Sequence, residues 1–330
     1  MHNFCTLFDS YYLSRGVAMY ESLRRHCPEF HLYIFAFDDL SKDYLLKQNF
    51  PSVTVISLAE FENPQLLKVK SGRNKAEYCW TCTPQVIKFA MDNYSLPSCT
   101  YLDADIYFFA DPGQLIDEMG DRSVLITEHR YTAEYDQSAT SGIYCVQFMT
   151  FRGTEEGIRV LNWWLEACLE WCFARYEDGR FGDQKYLDDW PQSFAGVHEL
   201  RHLGGGVAPW NVQQYDFTYE DRSGILATER SSAKGFGVVF YHFQNFKFVG
   251  SAHVELGYYK LSNIVKKLIY KPYLAHLLSI EVDIRSDAEF SASINSVSPI
   301  KMDFFWRLKL LRRRVLGYMN FHAIEQLLRY

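Results

Sequence analysis

The stretch TYLDADIYFFADP, residues 100–112, places Asp103 and Asp105 one residue apart at the end of a run that otherwise reads as a buried strand. In a strand, residues two apart point to the same side, so the two carboxylates can converge on one point. Like charges a few ångströms apart repel, which raises one pKa unless a cation sits between them. The pattern therefore predicts a hard divalent metal beyond the carboxyl end of a strand. Surface turns also produce D-x-D, so the surrounding chain has to decide the matter.

Working outward, strand-like and helix-like patterns alternate. HNFCTLF (2–8) reads as a strand, followed by a helix opening near Ser14, whose side chain can cap it. HLYIFAFD (31–38) is the next strand, Ser41 opens a short helix, and SVTVISL (52–58) is a third strand. Thr83 and Pro84 read as a cap followed by proline at the first helical position, with Val86, Ile87, Ala90 and Met91 as the buried stripe. That helix leads into the strand ending at Asp103. SVLITE (123–128) and SGIYCVQF (141–148) read as strands, and 154–175 as a long helix carrying Trp163, Trp164 and Trp171. The alternation predicts an α/β fold with a mostly parallel sheet flanked by helices. Such sheets bind ligands beyond the carboxyl ends of their strands, where Asp103 and Asp105 lie. No Pro/Gly-rich linker and no internal repeat interrupts the pattern, which predicts one domain over 1–255 and a helical, basic region over 256–330.

Composition narrows the class. An apolar fraction of 48% in 330 residues supports a sizeable core and excludes a disordered or fibrous chain. Aromatic residues make up 17%, which favours stacking surfaces and a substrate with ring-shaped parts, although most of these rings must be core. The net charge of −6 argues against a nucleic-acid partner. The eight cysteines lack the spacing of a small secreted framework and read as free thiols in a reducing cytosol. Cys79 and Cys82 form a C-x-x-C with no second ligand pair, and read as two thiols on one helix turn. The N-terminus lacks a charged and an apolar leader region, and no apolar run approaches the roughly 20 residues of a membrane span, so the expected location is the cytoplasm.

Three further segments join the D-x-D. FGDQKYLDDWP (181–191) sets Asp183 and Gln184 after a glycine at the start of a short helix. GGGVAPWN (204–211) is a glycine-rich loop ending in Trp210 and Asn211. VVFYHFQNFKF (238–248) is a strand ending in His242, with Lys247 five residues on. Two carboxylates and an imidazole, with a diphosphate in the remaining positions, suit Mn²⁺ or Mg²⁺.

The ordered set D-x-D, S-G, D-Q and H-F-x-N-x-K resembles the nucleotide-sugar glycosyltransferases of the GT-A fold. The resemblance covers residues 1–250 and points most to the family of glycogenin and the bacterial lipopolysaccharide galactosyl- and glucosyltransferases. It implies that Asp103 and Asp105 hold the metal and the ribose-diphosphate of a nucleotide-sugar donor, with His242 as third metal ligand. Thr6, Asp9, Tyr11 and Tyr12 take the place of the residues that hold the nucleotide and stack on its base. Ser141 and Gly142 fall where the family lines the sugar pocket, and Asp183 and Gln184 match its acid-amide pair beside the anomeric carbon. The family has glycine three residues after the histidine and lysine six after it, whereas this chain has Asn245 and Lys247; Lys247 is the expected diphosphate contact. Arg73 and Lys75, read as lying on an exposed loop, are placed to reach the donor phosphates or to stand as solvated charges.

What the resemblance implies is a metal-dependent hexosyl transfer from a UDP-linked donor to a saccharide or lipid-linked saccharide, with retained anomeric configuration, in cell-surface polysaccharide or lipopolysaccharide synthesis. Two other classes stand beside it. A sugar-1-phosphate nucleotidyltransferase shares the core but carries glycine and basic residues after the first strand, where this chain reads LFDSYYLSRG. A non-catalytic nucleotide-sugar-binding protein would show no metal-dependent turnover.

Charge is segregated: residues 301–330 carry about +5 and the remainder about −11. Drawn as a helix, 304–319 gathers Phe304, Leu308, Leu311, Val315, Tyr318 and Met319 on one face, edged by Arg307, Lys309, Arg312, Arg313 and Arg314. Such a helix can lie on the anionic inner face of a membrane, or pack on the body of the protein.

Overall fold

The computed structural model describes residues 1–290, 297–298, 304–315 and 317–330. Its centre is a seven-stranded sheet built from β1 (His2–Phe8), β2 (Phe30–Ala36), β3 (Val53–Ser57), β4 (Ser98–Leu102), β6 (Val124–Glu128), β7 (Tyr144–Arg152) and β8 (Val197–Glu199), in the order β3-β2-β1-β4-β7-β6-β8. The strands from β3 to β4 run parallel, β7 runs antiparallel to both β4 and β6, and β8 is parallel to β6. The central strand β1 is buried at every position but His2, as an apolar run covered on both faces must be.

Helices cover both faces. On one side α1 (Leu13–His26) and α4 (Lys271–Ser286) pack together and contribute Val17, Tyr20, Tyr273 and Leu277 to one buried cluster. On the other, α2 (Lys75–Asn93) and α3 (Glu155–Glu170) pack together and contribute Val86, Ile87, Leu161 and Trp164 to a second buried cluster. The sequence pattern is thus realised as a three-layer α/β fold.

Several local boundaries differ from expectation. Helix α2 opens at Asn74, not at Thr83: Asn74 accepts the Glu77 N–H at 3.0 Å, and the Glu77 carboxylate accepts the Asn74 N–H at 2.8 Å. Pro84 lies inside the helix. The helix entering α1 is capped by Asp9, which accepts from the Tyr12 N–H, and Ser14 is buried. Asp38, rather than Ser41, caps the short helix Asp39–Gln48.

Beyond the main sheet, β5 (Ile106–Phe108) pairs antiparallel with β12 (Phe240–His242), which sets His242 opposite Ile106. The strands β9 (Tyr215–Glu220), β10 (Gly224–Glu229) and β11 (Gly235–Gly237) form a separate antiparallel sheet. At the C-terminal side, β13 (Lys247–Val249), β14 (His253–Glu255), β15 (Val297–Ser298) and β16 (Phe321–Ala323) form a fourth sheet. The basic helix α5 spans Phe304–Val315, and Tyr318 and Met319 follow it outside the helix. Arg313 is buried against Glu255 at 2.5 Å and lies over the Tyr258 ring, while Leu308, Leu311 and Val315 are exposed. Of the basic edge, Arg312 is exposed; the side chains of Arg307, Lys309 and Arg314 lie outside the described residues.

Candidate active site

Strand β4 ends at Leu102, and Asp103, Ala104 and Asp105 form a turn into β5. The two carboxylates therefore converge through a turn, closed by the Ile106 N–H on the Asp103 carbonyl at 3.3 Å, and not through the pleat of a strand. Neighbouring elements hold that turn. The Asp103 N–H donates to the Gln147 carbonyl at 3.0 Å, and the Asp105 carbonyl accepts from the Phe243 N–H at 2.8 Å. The β5–β12 pairing then brings in His242, whose Nε2 lies 3.2 Å from Asp105 Oδ1 and 3.8 Å from Asp103 Oδ2. One ligand atom from each of the three residues falls within 4.8 Å of the others.

The electrostatics of the trio are those of a cation site. Burial, followed by the charge of Asp105, raises the Asp103 carboxyl to about 6. Burial also acts on Asp105, but the adjacent His242 charge outweighs it and holds that carboxyl below its ordinary value. The same pairing raises His242 well above the usual imidazole range despite its burial. Two half-buried carboxylates gathered on one imidazole nitrogen favour a positive charge between them. Carboxylate oxygens suit Mn²⁺ or Mg²⁺ and an imidazole nitrogen can complete their shell, so the donor set fits the divalent metal that the sequence resemblance implies.

The trio sits in a cavity of about 940 Å³ at the carboxyl ends of β1 and β4. Asp9, Tyr11 and Tyr12 line it after β1, and Lys75 lines it from the first turn of α2, paired with Asp9. Ser141, Asp183 and Gln184 line the opposite part, where the Gln184 amide donates to the Ser141 carbonyl. Burial and then the Asp103 charge push the Asp183 carboxyl up to about 8. Ser141 and Gly142 stand in a helical turn before β7, not within a strand; Gly142 has φ +108°, and a methyl group there would press on the Lys185 backbone.

Other expected residues are not brought into the cavity. Thr6 is fully buried within β1, outside its lining. Gly142 packs behind Ser141. Lys247 lies on β13, opposite Glu255, and also outside the lining. Arg73 points away altogether: its guanidinium donates to the carbonyls of Cys168, Leu169 and Cys172 at the end of α3. The departure at Asn245 has a backbone explanation. Asn245 adopts φ +63°, a left-handed conformation that asparagine tolerates better than most residues other than glycine.

Sequence reasoning missed several residues of the site. Tyr101 donates to Asp103 at 3.0 Å. Trp80 and Phe181 line the cavity beside Asp183. The ring of Trp210 meets His242 edge-on at 5.4 Å, while its Nε1 and the Asn211 amide both donate to the His129 carbonyl. His129 in turn stacks on Tyr131 at 4.6 Å. The glycine-rich loop was legible as a loop; its place behind His242 was not.

Comparison with known proteins gives the relationship. The chain is 32% identical over 286 residues to the uncharacterized protein YfnD of Bacillus subtilis (strain 168), covering 83% of this chain and 88% of that one. It is 30% identical over 260 residues to YfnF of the same organism, covering 76% and 84%. The chain belongs to the YfnD family. No protein-family model matches it. Among solved structures, this YfnD-family chain is similar to the galactosyltransferase LgtC in complex with donor and acceptor sugar analogues, with a TM-score of 0.54 at 12% identity, covering 84% of this chain and 95% of that one. That likeness shows the GT-A fold of the YfnD-family chain.

Proposed function

We propose that this chain is a divalent-metal-dependent glycosyltransferase that moves a hexosyl unit from a UDP-linked sugar to a saccharide or lipid-linked saccharide, with retention of configuration. The observation that carries this reading is the convergence of Asp103, Asp105 and His242 after the carboxyl end of β4, inside the cavity of about 940 Å³ in a GT-A fold. These three residues would hold Mn²⁺ or Mg²⁺. When bound, the metal supplies positive charge against the diphosphate leaving group.

The chain's own residues divide the remaining work. Tyr11 and Tyr12, adjacent rings at 5.7 Å, offer faces for the nucleobase, and Asp9 with Lys75 closes that end of the cavity. Asp183 and Gln184 stand at the sugar end with Ser141. In transfer, the bond from the anomeric carbon to the diphosphate oxygen breaks, with its electron pair leaving on that oxygen. The acceptor hydroxyl oxygen bonds to the same carbon, and its proton passes to the departing diphosphate. The anomeric centre becomes cation-like between these events, so a neutral amide such as Gln184 serves to position and not to attack.

The partner surface follows from α5. Exposed Leu308, Leu311 and Val315 beside Arg312 fit an anionic lipid surface, and a lipid-linked acceptor in cell-surface polysaccharide or lipopolysaccharide synthesis would be met there. Among the described residues, no helix is long and apolar enough to cross a membrane. The function is tested by a screen of nucleotide-sugars with Mn²⁺, reading donor hydrolysis and nucleotide-dependent thermal shift. A retained product anomer by NMR supports the reading; an absence of metal-dependent turnover with every donor overturns it.

A further inference from the structure

Gln147 touches both arms of the metal trio without entering the cavity. It lies on β7, fully buried. Its backbone carbonyl accepts the Asp103 N–H at 3.0 Å, and its side-chain Oε1 lies 2.8 Å from His242 Nδ1. The other end of the amide is unusual: Gln147 Nε2 is buried and has no hydrogen-bond partner. Leaving a buried donor unpaired costs stability, and a leucine or methionine would fill the same space without that cost. A role for Oε1 accounts for the amide.

We infer that Gln147 is a positioning residue that would hold His242 in the Nδ1-protonated tautomer when a cation is bound, so that Nε2 offers its lone pair to a cation shared with Asp103 and Asp105. An imidazole that donates through one nitrogen presents a lone pair on the other, and outer partners of this kind orient metal-binding histidines. The glycine-rich loop completes the support. The Val207 carbonyl accepts the His242 N–H at 2.9 Å, and Gly206, at φ +97°, lies where an added methyl group would come 3.0 Å from Gln147 Nε2. Gly206 thus leaves room for the amide, while Val207 holds the backbone of the histidine it orients. Gln147 acts through His242 and does not line the cavity.

This inference rests on the metal-site reading, and the experiment separates the two. Mn²⁺ affinity of the full chain is measured by EPR for wild type, Asp105→Ala, His242→Ala, Gln147→Met and Gln147→Glu, with thermal melting of each as a fold check. Gln147→Met keeps the volume but removes the acceptor, and should weaken Mn²⁺ binding roughly 10- to 100-fold. Gln147→Glu keeps an acceptor oxygen and should stay near wild type. In parallel, long-range ¹⁵N NMR of the wild-type chain with Mg²⁺ should show the His242 proton on Nδ1. If Asp105→Ala and His242→Ala bind Mn²⁺ as wild type does, the metal site itself is wrong. If they fail to bind while Gln147→Met binds normally, or both Gln147 variants lose affinity equally, the positioning role is overturned. A proton on Nε2 in the wild-type spectrum overturns it as well, even if Gln147→Met does not fold.

Discussion

His242 Nε2, at the end of β12, and Asp105 Oδ1, in the turn just before β5, lie 3.2 Å apart, brought together by the pairing of those two short strands outside the main sheet. This contact extends a local D-x-D into a three-residue candidate cation site. Asp105→Ala, Asp103→Ala and His242→Ala should each abolish Mn²⁺ binding by EPR and any metal-dependent turnover. The Asp103 variant should melt no lower than wild type in chelator, because it removes one of two like charges, whereas the Asp105 variant also loses the pairing with His242 and should melt lower. Full activity in either variant, or in excess chelator, would contradict the assignment.

Gln184 lines the cavity and is hydrogen-bonded to the Ser141 carbonyl, at the end proposed to take the sugar. A group that acts beside the reacting centre should affect the rate more than donor binding. Gln184→Ala is expected to lower kcat while the thermal shift induced by nucleotide stays nearly unchanged. Loss of nucleotide binding would move Gln184 out of that role.

The Asp183 carboxyl is pushed up to about 8 by burial and then by Asp103. The unfolded chain releases this proton near pH 4 and the folded chain only near 8. The folded state therefore binds the extra proton between those values, and stability falls as pH rises through that window. Asp183→Asn needs no such proton. In metal-free protein its melting temperature should match wild type near pH 4 and exceed it increasingly up to pH 8, then run parallel above. A constant difference across the range would exclude the buried, proton-holding carboxyl.

Arg73 closes the end of α3 with hydrogen bonds of 2.7 to 3.1 Å to three carbonyls. Arg73→Ala should lower stability by about 1–3 kcal/mol in urea unfolding, since those buried acceptors lose their partner. Nucleotide binding should be unaffected. A selective loss of donor affinity would return Arg73 to the phosphates.

The two faces of α5 should respond differently. Arg313 is 5% exposed and paired with Glu255, so Arg313→Gln leaves a buried carboxylate unpaired and should destabilise the chain by on the order of 3 kcal/mol. Leu311→Ser with Arg312→Gln alters only exposed positions and should leave melting unchanged. That double variant should bind anionic vesicles more weakly, and wild-type binding should fall with added salt. Vesicle binding that never depends on salt would exclude an electrostatic membrane contact.

The sequence by itself determined the α/β class, because alternating apolar runs and helical stripes have few ways to bury their faces other than a layered sheet. It also marked Asp103, Asp105, Asp183, Gln184 and His242, since their residue types and order carry the likeness to a sugar-transfer site. Even the start of α2 was written locally, in the reciprocal Asn74 and Glu77 cap, although Thr83 and Pro84 offered a competing signal. Tertiary structure alone decided the rest. Gln147 reads as one more residue of a buried strand until β12 delivers the His242 ring to its amide. Arg73 and Lys75 are near neighbours of like charge, yet one closes α3 and the other pairs with Asp9 at the wall of the cavity. Arg313 and Arg312 are adjacent on one basic helix, and only packing against Glu255 and Tyr258 buries the first and leaves the second in solvent. Charge and periodicity specify what a side chain can do. Its partner is chosen by strand pairings and helix contacts between segments far apart in the chain, which no local pattern encodes.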